Sequence, residues 1–138
     1  MERYLRDSVS NGNPREQALI RKWWHEQREA KGVMVWEYCI EDRFVDAVLF
    51  PYRQPHGTEA PGKSVATRYP ISGETIVLCE SKDTLNPELI GQALVYRQLA
   101  IAAGAEVREV FVFSENATSS MRRIAKELGL CPEVLCDT

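Results

Sequence analysis

Leu19, Ile20, Trp23 and Gln27 recur at helical spacing between Pro14 and about Ala30, the period of a helix with one buried face. Asn13 before Pro14 offers an N-cap followed by proline at the first helical position, and Lys31-Gly32 ends the segment. Val33 to Ile40 is rich in Val, Trp, Tyr and Ile and reads as a strand. The polar break Glu41-Asp42-Arg43 is short, so Phe44 to Phe50 is expected to return beside it as a hairpin. Pro51 to Gly73 holds four prolines and three glycines without periodicity and reads as a long loop, a length usually reserved for function or disorder. Thr75 to Ser81 is a third strand, apolar enough at Ile76, Val77 and Leu78 to be central. Asn86-Pro87-Glu88 starts a helix that runs to about Ala103 and stops at Gly104. Val107 to Phe113 is a fourth strand. Thr118 or Ser119 caps a last helix carrying Met121, Ile124, Ala125 and Leu128, with Gly129 at its end, and Val134 to Cys136 is a short edge strand.

The predicted order is α-β-β-β-α-β-α, an α/β fold with a mixed sheet flanked by helices. The third strand, its helix and the fourth strand form a crossover, expected to be parallel and right-handed. The 138 residues fit one domain spanning 1–138, with 1–13 a loosely packed start. That start is polar and mixed in charge, unlike a signal or transit peptide, and no apolar run reaches the roughly 18 residues of a membrane helix. A cytoplasmic protein is expected. The net charge of −3 argues against a protein held on nucleic acid by bulk charge alone. It does not exclude a nuclease, because a bound metal offsets catalytic carboxylates. Cys39, Cys79, Cys131 and Cys136 contain no C-x-x-C pair and read as free thiols.

Chemistry enters where charge interrupts an apolar strand. Asp46 lies in the middle of Arg-Phe-Val-Asp-Ala-Val-Leu-Phe, and Glu80 and Lys82 end the run Ile-Val-Leu-Cys-Glu-Ser-Lys. A carboxylate in a core strand is costly to bury unless paired or bound to metal. Residues 80 and 82 leave the same strand face, and pairing of the strands would bring Asp46 to that point. Two carboxylates and an ammonium suit phosphodiester hydrolysis, because hard oxygen donors select Mg2+ or Mn2+ and lysine steadies the nucleophile or the developing charge. Taken singly, each residue also fits an ordinary ion pair.

Together, Asp46 followed by Glu80-Ser81-Lys82 resembles the PD-(D/E)xK, or restriction-endonuclease-like, nuclease superfamily. Val45-Asp46 stands at its Pro-Asp, and Glu80-Ser81-Lys82 matches E-x-K, over roughly Pro14 to Phe113. Gln92 and Tyr96 form Q-x-x-x-Y on one helical face, similar to RecB-type nucleases, while Arg43 replaces the glycine usual there three positions before the aspartate. The resemblance implies a catalytic set of Asp46, Glu80, Lys82 and Gln92. It implies Mg2+, with Mn2+ able to substitute, held by Asp46, Glu80 and the Ser81 backbone carbonyl, with Glu16 of the first helix as a further candidate. It places Tyr96 near the metal or the nucleic acid. The loop's basic bias adds Arg53, Lys63 and Arg68 as candidate phosphate contacts.

The expected function is a metal-dependent nuclease acting on DNA, with RNA left open. The alternative is a non-catalytic nucleic-acid-binding or assembly module on the same scaffold. A homodimer is an open alternative that junction-resolvase-like symmetric cutting would require. His25 and His56 lack partners at metal or triad spacing, and no G-x-x-x-x-G-K-[ST] or G-x-G-x-x-G loop occurs. Trp23-Trp24 is expected to divide into one core and one exposed residue.

Overall fold

The computed structural model describes residues 14–62 and 69–135. Its elements are α1 (Pro14–Arg28), β1 (Val33–Ile40), β2 (Arg43–Phe50), β3 (Thr58–Pro61), β4 (Thr75–Ser81), α2 (Pro87–Ala102), β5 (Glu106–Ser114), α3 (Ser119–Glu127) and β6 (Cys131–Val134). The strands form one sheet in the order β3-β1-β2-β4-β5-β6. β1 and β2 make the expected antiparallel hairpin, and β2 runs antiparallel to β4. β4 and β5 are parallel across the α2 crossover, as expected, and β6 extends that parallel set.

Local chemistry explains most boundaries. The Asn86 side chain accepts from the Leu89 N–H at 2.8 Å and caps α2, and Thr118 caps α3 through the Met121 N–H, each satisfying an amide the first turn leaves open. Gly104 and Gly129 follow α2 and α3 with positive φ, the conformation that ends a helix at little cost when no Cβ is present. The expected Asn13 cap and Cys136 lie outside the described residues.

The sequence expectation is corrected in three places. The stretch from Pro51 to Gly73 is not wholly loop, because Thr58–Pro61 pairs in parallel with β1 as an edge strand. Four residues are too few to show alternation, and Pro61 is tolerated at an edge. The last strand is Cys131–Val134 rather than one starting at Val134, again an edge strand that accommodates Pro132. Trp23 and Trp24 are both buried. Trp23 packs on Phe111 and Phe113, and Trp24 turns inward because its Nε1–H donates to the Lys31 carbonyl at 2.7 Å.

Two cores sandwich the sheet. Leu19, Ile20, Trp23 and Trp24 of α1 bury one face with Met34, Trp36, Ala47, Leu49, Val77, Cys79, Phe111 and Phe113. Leu89, Ile90 and Ala93 of α2 and Ala125 of α3 cover the other with Val33, Val35, Val48, Ile76, Leu78, Val110 and Val112. Contacts of Arg28 with Glu109, Trp23 with Phe111 and Arg15 with Glu115 run α1 antiparallel along β5. The start of α1 thereby sits over the carboxyl ends of β4 and β5.

Candidate active site

β2 and β4 pair over only three positions, Ala47↔Cys79, Val48↔Leu78 and Leu49↔Val77. Beyond Ala47 and Cys79 the backbone ladder stops and side chains continue it. The Asp46 N–H donates to Glu80 Oε2 at 2.8 Å, and the Ser81 N–H donates to Asp46 Oδ2 at 2.9 Å. The two strands thus part where the two carboxylates stand, and each carboxylate holds the other strand's backbone. Glu80 is buried and Asp46 is half-buried.

A second irregularity adjoins on β1. The β1–β2 register runs through Trp36↔Ala47 and Tyr38↔Val45 but omits the 37/46 pair. Residues two apart in a strand share a face. Here Trp36 and Ala47 pack on the α1 side, whereas Tyr38 and Val45 pack on the α2 side. Both strands change phase at Glu37 and Asp46, and Glu37 has φ of 54°. Glu37 is buried as well, the same signal of a carboxylate in the apolar strand Val-Met-Val-Trp-Glu-Tyr-Cys-Ile that singles out Asp46. Sequence reasoning passed over it.

The electrostatics follow from this crowding. Burial raises the Asp46 carboxyl from 3.8 to about 6, the Ser81 N–H opposes the rise, Glu16 adds to it and Lys82 subtracts. Glu80 is also pushed well above the ordinary carboxylate range, by burial first and then by the neighbouring charge of Asp46. Glu16 is raised by burial, with Lys82 pulling it down. All three carboxylates therefore sense Lys82, whose N–H is tied to the Phe113 carbonyl at 3.0 Å. Lys82 and Glu16 line a cleft of about 340 Å³ with Arg15, Asp83, Glu115 and Asn116 at the start of α1. From the α2 side, Tyr96 is raised by burial and then by the charges of Glu80 and Asp46.

Asp46, Glu80, Lys82, Glu16 and Tyr96 are thus brought into one region. Gln92 lies half-buried one turn before Tyr96 on α2, and the hydrogen bonds of Asp46 and Glu80 are to backbone amides rather than to Gln92. Arg53 is not brought to the region. It follows β2 at the opposite end of the sheet, paired with Glu74 at 2.7 Å and stacked over Tyr69. Glu74 precedes Glu80 by six strand positions, about 20 Å at the usual rise per residue. Lys63 and Arg68 lie outside the described residues. A larger cleft of about 650 Å³ also lies at that far end, beside Arg28, Tyr52, His56 and Arg108, away from the carboxylates.

Among the described residues, no three His, Cys, Asp or Glu side chains converge as a ready-made metal cluster. What the strands bring together is smaller: two carboxylates, each with one oxygen engaged by an amide. Such hard oxygen donors fit Mg2+ or Mn2+. Two carboxylates driven toward protonation by burial and mutual repulsion are those a cation would relieve.

No family model matches the sequence, and no curated protein does. A structural likeness exists to a chain solved in an EndoMS–dsDNA2 complex, with a TM-score of 0.54 and 17% identity, covering 92% of this chain and 47% of that one. The fold is restriction-endonuclease-like. At that identity the likeness concerns the fold alone, and the chain spans about half the length of this neighbour. Among the described residues no helix is long and apolar enough to cross a membrane. The thiols of Cys39, Cys79 and Cys131 are free.

Proposed function

We propose that this chain is a magnesium-dependent nuclease that hydrolyses phosphodiester bonds in DNA. The observation that carries the reading is the parting of β2 and β4, where the Asp46 and Glu80 carboxylates replace the backbone ladder beside Lys82. A structural ion pair would explain one buried carboxylate. It does not explain two mutually repelling ones held by amides at the point where a sheet opens. Shared fold with a protein solved on double-stranded DNA supports DNA as the substrate class.

In this reading Asp46, Glu80 and the Ser81 carbonyl hold the metal, with Glu16 facing it from α1. The bound ion would polarise the phosphate and lower the pKa of a water. The Ser81 N–H keeps Asp46 oriented, and the Asp46 N–H does the same for Glu80. Lys82 balances the cluster and stabilises negative charge developing on the phosphate. Tyr96 borders the site from α2, with Gln92 behind it as a supporting residue.

The test is cleavage of single-stranded, duplex, flapped and four-way DNA with magnesium, manganese or chelator, beside calorimetric metal titration. Metal-dependent cutting abolished by Asp46→Ala is the expected result. Protein that binds neither metal, with or without DNA present, would transfer the case to a non-catalytic binding module.

A further inference from the structure

The phase change at the 37/46 position needs a cause, and the neighbouring edge strand supplies one. β3 pairs with β1 up to Trp36↔Pro61, so Gly62 arrives beside Glu37. A Cβ on Gly62 would stand 2.3 Å from the Glu37 carbonyl oxygen and 2.6 Å from that of Trp36. No side chain fits at such separations, so the approach requires glycine. The close passage occurs where Glu37 takes its left-handed backbone, a conformation uncommon for a residue with a Cβ and one that persists only when its surroundings enforce it. Opposite Glu37, Asp46 lacks its place in the hairpin register, and its N–H reaches Glu80 on the other side.

We propose that Glu37 is a positioning residue for the carboxylate pair: its left-handed backbone, held against Gly62, takes Asp46 out of the β1–β2 ladder and frees the Asp46 N–H for Glu80. Had β1 stayed extended, the 37/46 pair would continue the register between Trp36↔Ala47 and Tyr38↔Val45. Asp46 would then be held by the hairpin rather than aimed across the opening between β2 and β4. The consequence for metal rests on the nuclease reading; the positioning itself does not.

Two-dimensional amide NMR of the full chain separates the two. In the wild type, the Asp46 and Ser81 amide protons report their carboxylate acceptors. Glu37→Gly keeps access to the left-handed conformation and is expected to retain both signals and the manganese affinity. Glu37→Val favours an extended backbone, because a β-branched residue at positive φ is an outlier. It is expected to shift both signals and weaken manganese binding by about 10- to 100-fold, the usual loss when a supporting group is removed. Should Glu37→Val not fold, Gly62→Ala takes its place and must move the same two amides. Unmoved signals in either variant, or their loss in Glu37→Gly, would overturn the proposal. A chain that shows this amide pattern but binds no metal would sink the nuclease reading and leave the positioning role standing.

Discussion

Replacing Asp46 by asparagine should stabilise the metal-free protein at neutral pH, although it removes a residue assigned to the site. The folded state holds this carboxyl at about 6 against an ordinary 3.8. A raised carboxyl binds its proton more tightly when folded, so stability is greatest below the unfolded value. It falls as pH rises from about 4 to about 6 and stays reduced above that. The difference of about two pH units corresponds to roughly 3 kcal/mol at pH 7.5, and partial solvent access brings the expectation to about 2 kcal/mol. Asp46→Asn removes the cost of holding this charge while keeping an oxygen for the Ser81 N–H, and it relieves the repulsion that helps to raise Glu80. For a domain of this size the gain is a rise in Tm of about 6–8 °C. Urea unfolding in chelator between pH 4 and 8 measures it, with variant and wild type converging at the acid end. Added magnesium should stabilise the wild type by mass action and leave Asp46→Asn unaffected. A variant less stable than the wild type at pH 7.5 without metal, or wild-type stability flat across that range, would refute the reasoning.

Other expectations concern the division of labour. Lys82→Ala should lower single-turnover cleavage by about 100- to 1,000-fold, as when one contact to developing charge is lost, with calorimetry showing metal affinity unchanged or tighter. Gln92→Ala should cost roughly 10- to 100-fold in rate as a supporting residue, and a rate equal to wild type would remove it from the scheme. Arg53→Ala should leave DNA affinity and its salt dependence unaltered, since its charge is engaged by Glu74 at the far end of the sheet, and a reduced salt slope would show otherwise. Trp24→Phe should destabilise by about 1 kcal/mol through the lost hydrogen bond to the Lys31 carbonyl, read in the same urea titrations.

The long elements and the buried carboxylates of the candidate site were legible because each left a local mark. Asn86-Pro87-Glu88 and Thr118 are capping signals that act within one turn, and the structure has both caps. Asp46 and Glu80 stood out as charges in apolar strands, which only a buried polar environment explains. Glu37 carried the same mark, but its role depends on a backbone conformation held against Gly62, the residue that follows β3. Nothing within β1 encodes that. β3 and β6 were missed or displaced because a four-residue edge strand is defined by its neighbour's free backbone groups rather than by its own side chains. Adjacent Trp23 and Trp24 were expected to divide between core and solvent because helical period separates neighbours, whereas the chain's return at Lys31 gives Trp24 a buried partner. Arg53 looked like a phosphate contact because a sequence does not reveal that Glu74 lies within 2.7 Å.

The sheet order also bears on how the molecule assembles. β1, β2 and β3 form one set of neighbours and β4, β5 and β6 another, each built from pairings made within its own part of the chain. The two sets meet through three residue pairs between β2 and β4, and α1, from the first part, lies across β4 and β5 of the second. Asp46 belongs to one set and Glu80 to the other. Neither half can bring the two carboxylates together by itself, so the pair exists only after β2 has docked against β4. On the nuclease reading, a chain whose halves have not docked would hold no cation, and the appearance of cation binding during refolding would time the docking of β2 against β4 rather than the formation of either half.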